Sequence, residues 1–161
     1  MNYVFVIGSA LLLIFSFVIL YGAPYLPTLR NQTDVALKLL DLKKGQTLVE
    51  LGSGDGRILK AAAKQGIRGI GYELNPLLVI FSRISCFRYR KMVRFHCRNY
   101  WHITLPQCDG IYVFLLDRFM PKLDAKIKAE LKPPIKLVSY AFKIPKKKVD
   151  REKDALFLYK Y

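Results

Sequence analysis

Val49-Glu50-Leu51-Gly52-Ser53-Gly54-Asp55-Gly56-Arg57 passes from an apolar strand through a glycine-rich turn to the start of a helix. In an open α/β sheet this first strand-to-helix turn is the usual nucleotide contact, because ligands sit at the carboxyl ends of strands where the winding reverses. Gly52, Gly54 and Gly56 permit tight backbone geometry and remove side chains, so a ligand can pack on peptide groups near a helix N-terminus. Bulk at any of the three is expected to fill the ligand's place. The spacing is G-x-G-x-G, with Glu50 before it and Ser53 and Asp55 inside it, whereas dinucleotide enzymes favour G-x-G-x-x-G for close approach to a pyrophosphate. A phosphate-free cofactor fits better. Alone, the turn is a weak signal, since many α/β proteins build one for structural reasons.

Outward from the turn, short apolar strands alternate with helical stretches. Strands are expected at Thr47–Leu51, Ile67–Glu73, Val93–Arg98, Asp109–Leu116, Ile135–Phe142 and Ala155–Tyr161, with helices at Arg57–Gln65, Pro76–Tyr89 and Lys122–Leu131. This is the rhythm of a parallel α/β sheet. An earlier helix over Thr33–Leu42 carries Val35, Leu37, Leu39 and Leu40, with Asn31 or Thr33 as its cap and Lys43-Lys44-Gly45 closing it.

Glu73 ends the second strand, about twenty residues beyond the glycines, where a carboxylate can accept hydrogen bonds from both hydroxyls of a ribose. Taken alone it reads as a solvated loop acid. At the end of the third strand, Asn99-Tyr100-Trp101 offers an amide for an adenine edge and rings able to stack on its face. A single Trp is more often core, so this motif supports the reading without deciding it.

The chain has 161 residues, enough for one domain; 52% are hydrophobic and the net charge is +15. The apolar residues concentrate at the start, where Tyr3 to Tyr21 run without a charge, long enough to cross a bilayer. Two other readings compete. A signal peptide would want a basic residue before the run, and a buried core helix would need protein on every side. The expected division is an anchor over 1–22, a connector and helix over 23–46, and the sheet domain over 47–161. Arg30 is the first basic residue, so the positive-inside tendency puts the domain on the cytoplasmic or equivalent side. Cys86, Cys97 and Cys108 lack metal or disulfide spacing and read as small core residues, and no metal is expected. Arg83, Arg88, Arg90, Lys91, Arg94 and Arg98, with Lys146-Lys147-Lys148, form basic tracts suited to nucleic acid, an acidic protein or an anionic membrane surface. Beside an anchor the membrane is favoured, and a solvated surface is the plain alternative.

Glu50 to Arg57, Gly71-Tyr72-Glu73-Leu74-Asn75-Pro76 and Arg98 to Trp101 together resemble class I S-adenosylmethionine-dependent methyltransferases. More narrowly, with Ala23-Pro24-Tyr25-Leu26-Pro27-Thr28 similar to a pre-methyltransferase segment and with Ser82-Arg83, the chain resembles the membrane-anchored protein-lysine methyltransferases. That resemblance implies a Rossmann-like sheet, S-adenosyl-L-methionine as cofactor, and a membrane-protein lysine as acceptor. Known members act on a rotor protein of ATP synthase and on the adenine nucleotide translocase. Two departures stand out. Asn99 replaces the more common Asp. Only one clear strand follows Ile135–Phe142, so the sheet is expected to be trimmed at its C-terminal end.

Methyl transfer is an in-line displacement that needs alignment, exclusion of water and a neutral amine. A desolvating aromatic channel favours that neutral form. Tyr25, Thr28, Trp101 and Tyr140 are the residues expected near it, ordinary packing being the alternative for each. Asp117 ends the fourth strand and is expected either to orient the ammonium or to pair with Arg118. Phe114 to Phe119 lacks the Pro-Pro-aromatic signature of enzymes that methylate base amines, which disfavours nucleic acid as acceptor. A lipid or isoprenoid quinone acceptor and a non-catalytic basic membrane adaptor remain as rivals. The chain is expected to be a monomer.

Overall fold

The computed structural model describes residues 3, 5–9 and 30–161. Residues 3 and 5–9 are helical, with Tyr3, Phe5, Val6 and Ile7 exposed. Most of the expected anchor, and the connector residues Tyr25 and Thr28, lie outside the described residues. Among the described residues no helix is long and apolar enough to cross a membrane.

The domain is a single sheet with helices on both faces. In chain order the elements are α1 (Arg30–Leu40), β1 (Thr47–Leu51), α2 (Arg57–Lys64), β2 (Arg68–Glu73), α3 (Pro76–Ser85), β3 (Val93–Cys97), β4 (Gly110–Val113), α4 (Met120–Glu130), β5 (Lys136–Tyr140), β6 (Arg151–Lys153) and β7 (Leu156–Lys160). The strand order is β3-β2-β1-β4-β5-β7-β6. β1 pairs in parallel with β2 on one side and β4 on the other, so the winding reverses beside β1. Its carboxyl end is therefore the crevice where ligands of such sheets bind.

Period-two alternation splits the core into two layers. Leu48, Tyr112, Val138, Leu156 and Leu158 join Leu37, Leu40, Ile58, Leu59, Ala62 and Val79 beneath α1, α2 and α3. Val49, Leu51, Ile111, Val113, Leu137, Phe157 and Tyr159 point the other way, onto Met120, Leu123 and Ile127 of α4. Strands buried on both faces read as continuous apolar runs, which is why β1, β4 and β5 are so visible in the sequence. Leu59 is fully buried, and truncating such a residue to alanine costs about 2–5 kcal/mol. α1 packs against β5 and β7 and so shares the core of the sheet.

Several boundaries move. α1 begins at Arg30, so Asn31 and Thr33 lie inside it rather than capping it, and Thr33 is buried. α3 ends at Ser85 and gives way to a 3₁₀ turn, Phe87–Tyr89. Cys86 is buried, Cys108 partly so, and Cys97 exposed on the edge strand, so only the first is a core residue. The expected trimming is also corrected, because two strands follow β5. β6 is charged and wholly exposed, giving no apolar alternation to read. It joins β7 through Asp154-Ala155, both at positive φ (52° and 60°), the conformation of a type I′ hairpin, here without the usual glycine. The shortening lies instead in residues 141–150, which contain no helix.

Candidate functional site

β1 delivers the glycine turn to the carboxyl edge of the sheet. The Gly52 and Ser53 N–H groups both donate to the Tyr72 carbonyl of β2, each at 2.9 Å, and the Gly56 N–H donates to Ser53 O at 2.8 Å. The three glycines all have positive φ, at 83°, 50° and 77°, but they serve different ends. A Cβ at Gly52 would meet nothing within 4 Å, leaving the peptide open on that side. A Cβ at Gly56 would meet the Phe95 ring at 2.7 Å, so bulk there collides with the protein's own β3 and not with a ligand. The expectation of one shared role for the glycines is corrected accordingly.

Glu73 clasps this turn. Its Oε2 accepts from the Gly54 N–H at 2.9 Å, and its Oε1 from the N–H groups of Leu74 and Asn75 at 2.8 and 2.9 Å. Charge-assisted bonds to backbone N–H are the stronger kind. They fix the carboxylate at the end of β2 and couple it to β1. A carboxylate has about four lone-pair sites, so capacity for a ligand remains. Spacing alone does not reveal the clasp, although an acid at the end of the strand beside a glycine turn is its signal.

The neighbouring acids divide the labour. Asp55 holds Arg57 through Nε at 3.0 Å and Nη2 at 2.7 Å and accepts from the Arg57 N–H at 3.2 Å, thereby fixing the start of α2. Glu50 is 4% exposed. Burial, followed by the charges of Asp55 and Glu73, pushes its pKa well above the carboxylate range, partly offset by the Leu59 N–H in the first turn of α2. Its Oε2 and the Ser53 Oγ are buried without a hydrogen-bond partner. Unsatisfied polar atoms beside a turn with one open face are groups that a polar ligand would satisfy.

At the end of β3 the Asn99 Oδ1 accepts from the Trp101 N–H at 3.0 Å, capping the 3₁₀ turn Tyr100–His102. The amide oxygen, one of the two routes expected for an adenine contact, is therefore engaged, and its N–H₂ is the group left to offer. The Tyr100 and Trp101 rings lie 4.9 Å apart, and Lys122 sits over Trp101 at 4.6 Å. Burial, and then the charge of Glu73, raise the Tyr100 pKa, so the phenol stays neutral and shares Glu73's surroundings.

The other half of the edge is built from β4 and β5. Tyr140 ends β5 and packs edge-to-face on Phe114, with centroids 4.7 Å apart. Nothing in the sequence pattern singles out Phe114 for this contact. Asp117 is exposed and opens the 3₁₀ turn Asp117–Phe119. It makes no ion pair with Arg118, whose guanidinium lies over Phe119 at 4.8 Å, so the pairing alternative is corrected. Glu50, the turn, Glu73 and Asn99 to Trp101 thus gather at the ends of β1, β2 and β3, and Phe114, Asp117 and Tyr140 at those of β4 and β5. Among the described residues no group of His, Cys, Asp and Glu could hold a metal ion.

Comparison with known proteins gives this edge a family. The chain is 33% identical over 150 residues to the lysine N-methyltransferase of the ATP synthase c-ring protein from Rattus norvegicus, covering 87% of this chain and 69% of that protein. It is 38% identical over 125 residues to the adenine nucleotide translocase lysine N-methyltransferase of Mus musculus, covering 76% of this chain and 54% of that protein. It spans about half the length of most such relatives, as with 53% of the Homo sapiens counterpart of the rat enzyme. The crystal structure of an RNA methyltransferase from Salinibacter ruber in complex with S-adenosyl-L-homocysteine superposes with a TM-score of 0.77 at 28% identity, covering 84% of this chain and 92% of that one. Residues 50–151, from the buried Glu50 through the clasped turn to β6, match the ANTKMT methyltransferase domain, and the chain belongs to that methyltransferase family.

Proposed function

We propose that this chain is an S-adenosylmethionine-dependent protein-lysine N-methyltransferase whose substrate is a membrane-associated protein. The observation that carries the reading is the Glu73 clasp on a glycine turn left open at Gly52, in a chain whose relatives are named lysine N-methyltransferases. In the proposed division, 1–22 anchors the chain, 23–46 connects, and 47–161 is catalytic.

The cofactor, when bound, supplies an electrophilic methyl group on a sulfonium. Gly52, Ser53, Gly54, Asp55 and Gly56 form its cradle, with Glu50 behind them and the Ser53 hydroxyl offering a donor. Glu73 takes the ribose hydroxyls with its remaining lone pairs, and Asn99, Tyr100 and Trp101 receive the adenine. On the acceptor side the lysine must arrive neutral. The Phe114–Tyr140 ring pair excludes water and so favours the uncharged amine. Asp117, exposed beside that pair, orients the ammonium before its proton leaves. Tyr25 and Thr28 are proposed to complete the channel from the connector. The basic tracts face anionic headgroups, each near-surface charge contributing on the order of 1 kcal/mol, and hold a monomer with its opening toward the bilayer.

Incubation with labelled cofactor and a membrane extract tests this directly. Label is expected on lysines of membrane protein. Label recovered only in organic extract would establish a lipid or quinone acceptor, and label only in RNA a nucleic-acid acceptor. No cofactor binding by calorimetry would leave the basic adaptor.

A further inference from the structure

The proposed chemistry leaves one large surface unexplained, the outward face of α3. The helix buries only Val79 and Ser82, while Leu77, Ile80, Phe81, Ile84 and then Phe87 stand between 49% and 70% exposed. The spacing i, i+3, i+4, i+7 puts them in one stripe. Among described residues beyond the N-terminal 3–7, every large hydrophobic side chain left exposed lies in this stripe. A contiguous apolar patch of this kind marks an interaction surface.

Its surroundings select the occupant. From Leu74 through Cys108 the chain has no acidic residue, yet it carries Arg83, Arg88, Arg90 and Lys91 along or just beyond the stripe. None of these cations joins an ion pair among the described residues. Arg83 is held by a 2.7 Å bond to the Phe95 carbonyl, and Arg90 lies 4.5 Å over the Phe87 ring, so cations are fixed at the border of the apolar face. A second copy would bring like charges together. Nucleic acid would leave the aliphatic stripe in water. An apolar face bordered by Arg and Lys is the composition of a helix lying in a bilayer interface.

We propose that α3 is an interfacial helix: Leu77, Ile80, Phe81, Ile84 and Phe87 enter the headgroup–acyl boundary of an anionic bilayer while the adjoining cations bind lipid phosphates. Because Asn75 caps α3 directly after Glu73, accepting from the Leu77 N–H at 3.0 Å, the helix starts at the cofactor edge and turns that edge to the membrane. The inference rests on the membrane location in the proposed function and names the element that sets it.

The test is Phe81→Trp in the full chain, reconstituted into vesicles of phosphatidylcholine with or without phosphatidylglycerol, with bromine on the acyl chains in a parallel set. The native indole, Trp101, gives the background measured in the unsubstituted chain. The residue-81 emission is expected to be shielded from aqueous iodide and to fall roughly twofold or more with brominated lipid. The quenching should weaken without the anionic lipid and disappear when Ile80→Asp and Ile84→Asp are added. Ile84→Trp repeats the measurement should Phe81→Trp fail to fold. Emission open to iodide overturns the proposal. Shielding without bromine quenching also overturns it, because protein then covers the face, and equal quenching in both lipids overturns the role of the cations. No turnover is read, so a failed lysine-methylation assay with strong quenching separates the two conclusions, as does the reverse.

Discussion

The two halves of the catalytic edge are made by different means. Beneath β1 and β2, backbone N–H groups do the positioning, with Glu73 taking three of them and the Tyr72 carbonyl two more. Beneath β4 and β5 the surface consists of side chains, the Phe114–Tyr140 ring pair and an exposed Asp117. The first half is organised before any ligand arrives and suits a constant cofactor. The second relies on rings and an exposed acid, elements that can vary with the acceptor while the sheet stays fixed.

The largest effect should come from Gly52→Val. A β-branched residue at φ 83° is strained, and its side chain occupies the open face of the turn. S-adenosylhomocysteine affinity by calorimetry is expected to fall more than ~100-fold with a folded circular dichroism spectrum. Retained affinity would remove the turn from the cofactor site. Glu73→Gln keeps one acceptor oxygen and loses the charge, so a loss of about 10-fold to 100-fold is expected in the same assay, with Glu73→Ala worse. Tyr140→Ala sharpens the contrast between the halves. Cofactor affinity should hold within about 2-fold while kcat drops by about 10-fold, and an equal loss in both would show that the halves are not separable.

The smallest effect concerns Glu50 and needs no substrate. Its folded pKa lies above the unfolded value, so the native state holds the proton longer and stability falls as pH rises from the ordinary carboxylate range toward the raised value. In the cofactor-free protein, Glu50→Gln should flatten that decline and raise Tm by a few degrees at neutral pH. A variant whose Tm against pH runs parallel to the parent would show that Glu50 ionises without penalty.

The legibility of the molecule follows the same division. The turn, Glu73 and the buried strands are readable because few residue types satisfy a left-handed backbone, an end-of-strand carboxylate or two-sided burial. β6 is not, because Arg151, Glu152 and Lys153 are exposed and their turn uses Asp154-Ala155 where glycine would have signalled a hairpin. The Phe114–Tyr140 contact is hidden for another reason. It joins two strands far apart in sequence, and an aromatic at a strand end looks the same whether it packs or lines a site. Gly56 misleads, since a glycine required by Phe95 cannot be told by spacing from one required by a ligand.

Helix α3 finally acts as a ruler. At about 1.5 Å per residue, the stretch from Pro76 to Ser85 is about 15 Å long, and its first turn is tied to Glu73 through Leu74, Asn75 and Leu77. With this helix flat on a bilayer, the methyl-transfer edge cannot rise further than about one helix length above the lipid. Acceptor lysines are then confined to a thin shell, at membrane-protein loops and helix ends near the headgroups, and lysines on tall soluble domains lie out of reach whatever their sequence.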